Sequence, residues 1–224
     1  SIDGMPSVLS GIPMFIEPFF LTPSSLNTVS SIGGELGKKG YYTAFFHGAD
    51  NGSMGFEAFA RTAGYTHYFG RTEYNEANPD NKDFDGHWGI WDEKFFQFFG
   101  NTLSGFQQPF AAALFSLSSH HPFAVPAEYE GVFPKGNKPI RQCIGYTDNA
   151  LKLFFEKVSK EPWYKNTLFV FTADHTNSPE RPEYETESGL FSVPVVFYQP
   201  GSDLKGFRKD VIAQQIDIMP TVLG

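Results

Sequence analysis

Three apolar runs of this chain each stop at a histidine, and that recurrence constrains the fold more than any other feature. Residues 41–46 run into His47, residues 110–119 into His120 and His121, and residues 167–173 into Asp174 and His175. Their β-branched and aromatic content reads as buried strands. Helical periodicities lie between them, and alternating strands and helices predict an α/β class with a mostly parallel central sheet flanked by helices. If the three strands lie parallel in one sheet, imidazoles and carboxylate gather at one edge, where open α/β sheets hold their ligands. A lone histidine at a strand end is often only a polar residue where the chain leaves the core. Three such ends, one with an adjacent acid, point instead to a site and to an enzyme. Asp174 beside His175 suits a divalent cation, with manganese, magnesium and zinc all chemically open.

The segments between the strands carry their own signals. Residues 25–37 place Leu26, Val29, Ile32 and Leu36 at helical spacing, with Ser24 or Ser25 as cap. Ser53 is expected to cap a short helix with Phe56, Phe59 and Ala60 inward, closed by Gly64. Residues 71–90 are polar and read as a long surface loop. Asp92 then caps a helix through Phe95, Phe96, Phe98 and Phe99, and four prolines make residues 122–139 an extended excursion. The longest helix falls near 140–160, with Ile140, Ile144, Leu151, Phe154, Phe155 and Val158 as its apolar face. Residues 192–198 form a fourth strand whose Pro194 marks an edge or a start.

Composition bounds the answer further. A chain of 224 residues, 41% hydrophobic and holding 25 Phe, suits one large domain, spanning 1–224, with an aromatic core. The formal charge of −8 argues against nucleic acid as a partner, because phosphate-tracking proteins carry a basic footprint. The single cysteine, Cys143, excludes an intrachain disulfide and a cysteine-based zinc site, and reads as a small core residue on a helix. No secretory signal or membrane-spanning run occurs. The chain opens on Ser1-Ile2-Asp3-Gly4 and stops in what reads as the first turn of a helix at 217–224, so it is expected to be an excerpt of a longer protein, truncated at both ends.

Five motifs occur in order: Ser-Ile-Asp at 1–3, Thr-Ala-Phe-Phe-His-Gly at 43–48, Ser-Ser-His-His-Pro-Phe at 118–123, Ala-Asp-His at 173–175 and Asp-Ile-Met-Pro-Thr-Val-Leu at 217–223. Together they resemble the sulfatase-like branch of the alkaline phosphatase superfamily, with the nearest likeness to lipoteichoic acid synthase-type phosphoglycerol transferases. The resemblance implies a largely parallel sheet with one or two divalent cations at the strand ends, manganese first and magnesium or zinc as alternatives. It maps metal ligation onto Asp174, His175 and Ser1, the nucleophile onto Ser1, and substrate contacts onto His47 and His120. It implies a phosphate-bearing lipid or glycan as substrate. It also implies a membrane-anchored parent protein with this domain on the extracytoplasmic face.

The implied reaction is metal-dependent transfer or hydrolysis of a phosphodiester, of phosphoglycerol or phosphoethanolamine type, through a covalent intermediate on a hydroxyl. Departures from the pattern leave two alternatives. The acid-bearing strand that the family places upstream of the nucleophile is absent, so the metal site of this excerpt is expected to be incomplete and the excerpt inactive alone. The Trp and Arg that follow the first histidine in lipoteichoic acid synthases fall at Met54 and Phe56, leaving Arg61 or Arg71 as weak substitutes. A non-catalytic relative that binds phosphoglycan or a partner is therefore one alternative. A sulfate-ester hydrolase is the other, disfavoured because no Cys/Ser-x-Pro-x-Arg motif is present to form the catalytic aldehyde. Outside the motifs, residues 84–92 with Trp88 and His87 read as a loop anchored by its indoles, or as the lip of a pocket.

Overall fold

The computed structural model describes residues 2–203 and 205–224. They form two compact units: one from the residues through Lys39, Thr62–Gly64 and Pro162–Gly224, the other from Gly40–Arg61 and Tyr65–Glu161.

The second unit is built on a three-stranded parallel sheet. Strand β1 (Tyr42–His47) lies between β2 (His67–Phe69) and β3 (Phe110–Phe115). The β1–β3 register runs from Tyr42 opposite Phe110 to His47 opposite Phe115, so both strands deliver their C-terminal ends to the same edge. A central strand needs apolar side chains on both faces, and residues 43–47 are all buried. One face is an aromatic cluster. Phe46 stacks on Phe69 at 4.6 Å and meets Phe99 edge-on at 4.7 Å, with Ala44, Tyr74, Ile90 and Phe95 completing the buried set.

The helices of this unit follow the sequence in outline. Helix α3 (Phe56–Thr62) turns Phe56, Phe59 and Ala60 inward, as expected. Helix α5 (Asp92–Ser104) packs on α6 (Ile140–Val158), where Phe99 stacks on Phe154 at 5.5 Å. The buried face of α6 is Cys143, Tyr146, Ala150, Phe154 and Val158, whereas Ile144 is exposed. The expected face is therefore displaced by one position at Ile144 and Leu151, where Cys143 and Ala150 are the buried residues. Residues 71–90 are not all loop, because α4 (Arg71–Ala77) forms within them. Its start is fixed by side chains: Glu73 accepts from the N–H of Gly70 at 2.6 Å, and Asn51 accepts from that of Thr72 at 3.2 Å. Asn51 is thus an anchor for α4.

In the first unit, β4 (Phe169–Thr172) pairs antiparallel with β5 (Val195–Tyr198), Phe169 opposite Tyr198 and Thr172 opposite Val195. Pro194 stands immediately before β5, so it marks the strand's start. Parallel pairing thus holds for β1, β2 and β3, while the strand that precedes Asp174 has an antiparallel neighbour. Helix α1 (Gly4–Ser10) ends at Gly11 and packs beside α7 (Ile218–Leu223). Helix α2 spans Ile32–Lys38, later than the expected 25–37; its cap is Ser31, whose Oγ accepts from Gly34 N at 2.9 Å, and Leu26 lies exposed in a separate 3-10 turn. Among the described residues no helix is long and apolar enough to cross a membrane.

Candidate active site

The chain leaves β4 through Ala173 into Asp174 and His175, and three contacts hold this corner. Gln215 Nε2 donates to the carbonyls of Ala173 at 2.7 Å and Asp174 at 2.9 Å. The N–H of Thr176 donates to Leu190 O at 2.7 Å. Gly4, at the start of α1, lies so close that a Cβ there would stand 2.7 Å from the Cβ of Asp174, a position only glycine can occupy. Asp174 is therefore seated by backbone on one side and by an amide side chain on the other.

His175 Nδ1 lies 2.8 Å from Thr176 O. A carbonyl only accepts, so Nδ1 carries the proton and Nε2 presents its lone pair in the neutral ring. That Nε2 stands 3.3 Å from Asp174 Oδ2. Two lone-pair donors at this separation repel one another unless a proton or a cation lies between them. Ligands held at about 2 Å from one metal stand on the order of 3 Å apart, so the pair fits a divalent cation. The backbone carbonyl behind Nδ1 is the partner expected of a metal-ligating histidine. Asp174 and His175 are only partly buried, at 21% and 33% side-chain exposure, and a cleft of about 380 Å³ opens beside His175. Asp3 and Thr176 line it as well, and Asp3 Oδ1 and Thr176 Oγ1 are buried without hydrogen-bond partners among the described residues. Among the described residues no group of three or more His, Cys, Asp or Glu converges on one point. Ser1, which the resemblance makes the nucleophile and a ligand, lies outside the described residues.

The parallel sheet places the other two histidines differently. His47, the last residue of β1, is 1% exposed. Its Nδ1 lies 3.0 Å from Phe115 O, which makes Nδ1 the protonated nitrogen, and its ring sits edge-on to Phe56 and Phe115. Nε2 is buried with no partner among the described residues. Burial drives the pKa down to about 4, against a smaller opposing pull from the Phe115 carbonyl, so the ring is neutral at pH 7. His120 lies beyond β3 in a turn closed by its own N–H to Leu117 O at 3.0 Å. Its Nδ1 is 3.1 Å from His121 O, and the Trp88 ring meets it edge-on at 4.6 Å. Each of the three histidines thus has its Nδ1 against a backbone carbonyl, which leaves Nε2 as the uncommitted nitrogen, buried in His47 and partly exposed in the other two residues.

Two residues outside the expected site organise this edge. Asp92 is the first residue of α5 rather than its cap, and its carboxylate is spent on the segment that follows β3. Oδ1 accepts from Leu117 N at 2.8 Å and Oδ2 from Ser118 N at 3.1 Å, while Ser118 Oγ receives Asp92 N at 3.0 Å. Burial raises the Asp92 pKa to about 6 while those bonds pull it back down. Asp92 therefore fixes the segment that leads to His120. The only trace of this in the sequence is an acid at a helix start, which reads equally well as a cap. The second residue is Trp88, whose indole N–H donates to His121 O at 2.6 Å. The two arginines weighed as substitutes for a head-group clamp are engaged elsewhere: Arg61 pairs with Glu57 at 2.7 Å, and Arg71 pairs with Asp50 at 3.0 Å and covers the Phe84 ring.

The Sulfatase family profile matches residues 1–224, the whole chain. The chain belongs to the sulfatase family. Among curated relatives, this sulfatase-family chain is 26% identical over 219 residues to lipoteichoic acid synthase 2 of Bacillus subtilis (strain 168), covering 88% of the chain and 32% of that protein. It is 27% identical over 191 residues to phosphoglycerol transferase I of Escherichia coli (strain SMS-3-5 / SECEC), covering 78% of the chain and 24% of that protein. The chain therefore spans a third or less of the length of these relatives. Among solved structures, the lipoteichoic acid synthase LtaP from Listeria monocytogenes superposes with a TM-score of 0.82 at 23% identity, over 99% of this chain and 58% of that one. An alkaline phosphatase superfamily protein from Vibrio parahaemolyticus does so with a TM-score of 0.82 at 24% identity, over 98% and 53%. These likenesses establish the fold: an α/β sulfatase-family architecture with a parallel sheet.

Proposed function

We propose that this sulfatase-family chain is part of the catalytic domain of a phosphodiester transferase or hydrolase of the phosphoglycerol transferase kind. The observation that carries the reading is the Asp174–His175 pair, with Nδ1 tied to Thr176 O and Nε2 facing Oδ2 at 3.3 Å. Asp174 and His175 would hold a divalent cation, manganese first and magnesium or zinc as alternatives. A bound cation of this type lowers the pKa of a coordinated hydroxyl and withdraws charge from phosphate oxygens.

Ser1 supplies the hydroxyl. Its oxygen attacks phosphorus, the bond to the leaving alkoxide breaks, and the phosphoryl ester formed on Ser1 passes to an acceptor alcohol or to water. His120, partly exposed and with Nδ1 already committed, binds substrate through Nε2: as an N–H donor to a phosphate oxygen when protonated, or as an acceptor when neutral. His47 is neutral at pH 7 and its Nε2 is buried, so a substrate contact at His47 would take the form of accepting a hydrogen bond from a hydroxyl, and only once its aromatic cover opens. A polyol phosphate head group offers both kinds of partner. The named relatives, a lipoteichoic acid synthase and a phosphoglycerol transferase, support a phosphate-bearing lipid or glycan as substrate. The motif resemblance to lipoteichoic acid synthases extends the reading to a membrane-anchored parent acting on the extracytoplasmic face. The absence of a Cys/Ser-x-Pro-x-Arg motif from the sequence weighs against sulfate-ester hydrolysis by an aldehyde.

The test is a side-by-side assay of an aryl phosphodiester and an aryl sulfate, with manganese present, using the catalytic domain of the longer protein. Diester cleavage that is lost in both Ser1→Ala and Asp174→Ala is the expected result. Sulfate turnover alone would overturn the reading, and no turnover of either ester would favour a binding role.

A further inference from the structure

The turn at residues 85–89 connects two strand ends that the sequence leaves unrelated. Asp85 Oδ1 accepts from three successive backbone N–H groups, those of His87 at 2.8 Å, Trp88 at 2.8 Å and Gly89 at 3.0 Å. This folds the chain back on itself and presses it onto the residue after His47. A Cβ on Gly89 would stand 2.3 Å from Gly48 O, and Ile90 N donates to that same carbonyl at 2.9 Å. From this clamped base, Trp88 reaches the end of β3. Its Nε1 donates to His121 O at 2.6 Å, and its ring stands edge-on to His120 at 4.6 Å and to His121 at 5.5 Å.

The carbonyl of His121 therefore faces two ring nitrogens, the Trp88 N–H and His120 Nδ1 at 3.1 Å. Trp88 remains 37% exposed. An indole that served only to anchor a loop would do so by burying its large apolar area. Here more than a third of the residue stays in solvent while the N–H is spent at close range on one acceptor. What the indole gives is direction: it fixes where the His121 carbonyl points, and that carbonyl selects which nitrogen of His120 carries the proton.

We infer that Trp88 is a positioning residue for His120, holding it in the Nδ1–H tautomer with Nε2 turned to the substrate. The inference deepens the proposed phosphodiester chemistry and rests on it for its consequence in turnover, but the tautomer can be read without turnover. Trp88→Phe keeps an aromatic ring and removes the donor; Trp88→Gln removes the ring and keeps an N–H donor. Nitrogen-15 NMR of the intact protein reports which His120 nitrogen is protonated.

In the unsubstituted protein the Nδ1–H form should predominate. In Trp88→Phe the two tautomers should become comparably populated, and Trp88→Gln should restore part of the bias. Diester turnover should follow, with kcat about 10-fold lower in Trp88→Phe and KM little changed. A His120 tautomer unaltered in Trp88→Phe would overturn the inference, as would an Nε2–H form in the unsubstituted protein. If the tautomer responds as stated while no protein form cleaves a diester, the positioning role stands and the proposed chemistry fails.

Discussion

The end of β1 and the end of β4 carry the same signal in the sequence, an apolar strand that stops at a histidine, and the two places do different things with it. At β1 the strand is central, flanked on both sides by parallel neighbours, and His47 is sealed among Phe56 and Phe115, its Nε2 without a partner among the described residues. At β4 the strand has one described neighbour, its residues are half-buried, and His175 stands beside a carboxylate at the mouth of a cleft. Both imidazoles have Nδ1 tied to a backbone carbonyl, so the difference lies in what Nε2 meets. Dry aromatic surroundings make His47 a neutral acceptor. At His175 the Nε2 faces a carboxylate instead, the arrangement on which the proposed cation site rests.

The contrast can be pushed hardest where the aromatic packing is densest. Phe46 is fully buried against Phe69 and Phe99, so Phe46→Ala should cost about 3–5 kcal/mol of stability, because the cavity adds to the lost transfer energy. Denaturant unfolding reads that loss, and the same variant should bind manganese as the unsubstituted chain does. A second expectation concerns pH. His47 has its pKa lowered to about 4 from an ordinary 6.5. The unfolded chain therefore takes up a proton that the folded chain refuses between those values. Stability should fall as pH drops through that window, by on the order of 3 kcal/mol. Urea titrations at pH 7 and pH 4.5 measure it, and His47→Gln should flatten that part of the profile. At the β4 end, a smaller perturbation suffices. Gly4→Ala forces a methyl to within 2.7 Å of the Asp174 Cβ, and the displaced carboxylate should bind manganese about 10-fold more weakly.

Much of this was readable before the fold was known. Apolar runs located all of β1, β3, β4 and β5, and the periodicity of residues 140–158 located α6. What stayed hidden depends on contacts between residues distant in sequence. Helix α4 has one buried apolar residue, Tyr74, and gives no periodic signal; Glu73 and Asn51 start it through bonds to backbone N–H groups. Asp92 looked like a cap because it opens a helix, yet its carboxylate answers to Leu117 and Ser118, 25 and 26 residues away. The direction of β4 was lost for a related reason: an apolar four-residue strand reads the same whichever way its partner runs. For the site, motif order pointed to Asp174, His175, His47 and His120, but no spacing in a sequence reveals which imidazole nitrogen is committed to a carbonyl. Trp88 reads in the sequence as a loop anchor or a pocket lip, and its bond to His121 O is a matter of tertiary geometry.

The most direct test of the account is a manganese titration followed by electron paramagnetic resonance, on the intact protein and on Asp174→Asn and His175→Gln. Both residues are partly exposed, so the variants should fold with unchanged circular dichroism. The account predicts saturable manganese binding that weakens at least about 10- to 100-fold in each variant, the scale seen when even the outer partners of a metal ligand are removed. Manganese binding that is unchanged in both variants would contradict it, and would reduce Asp174 and His175 to a surface ion pair at the end of a strand.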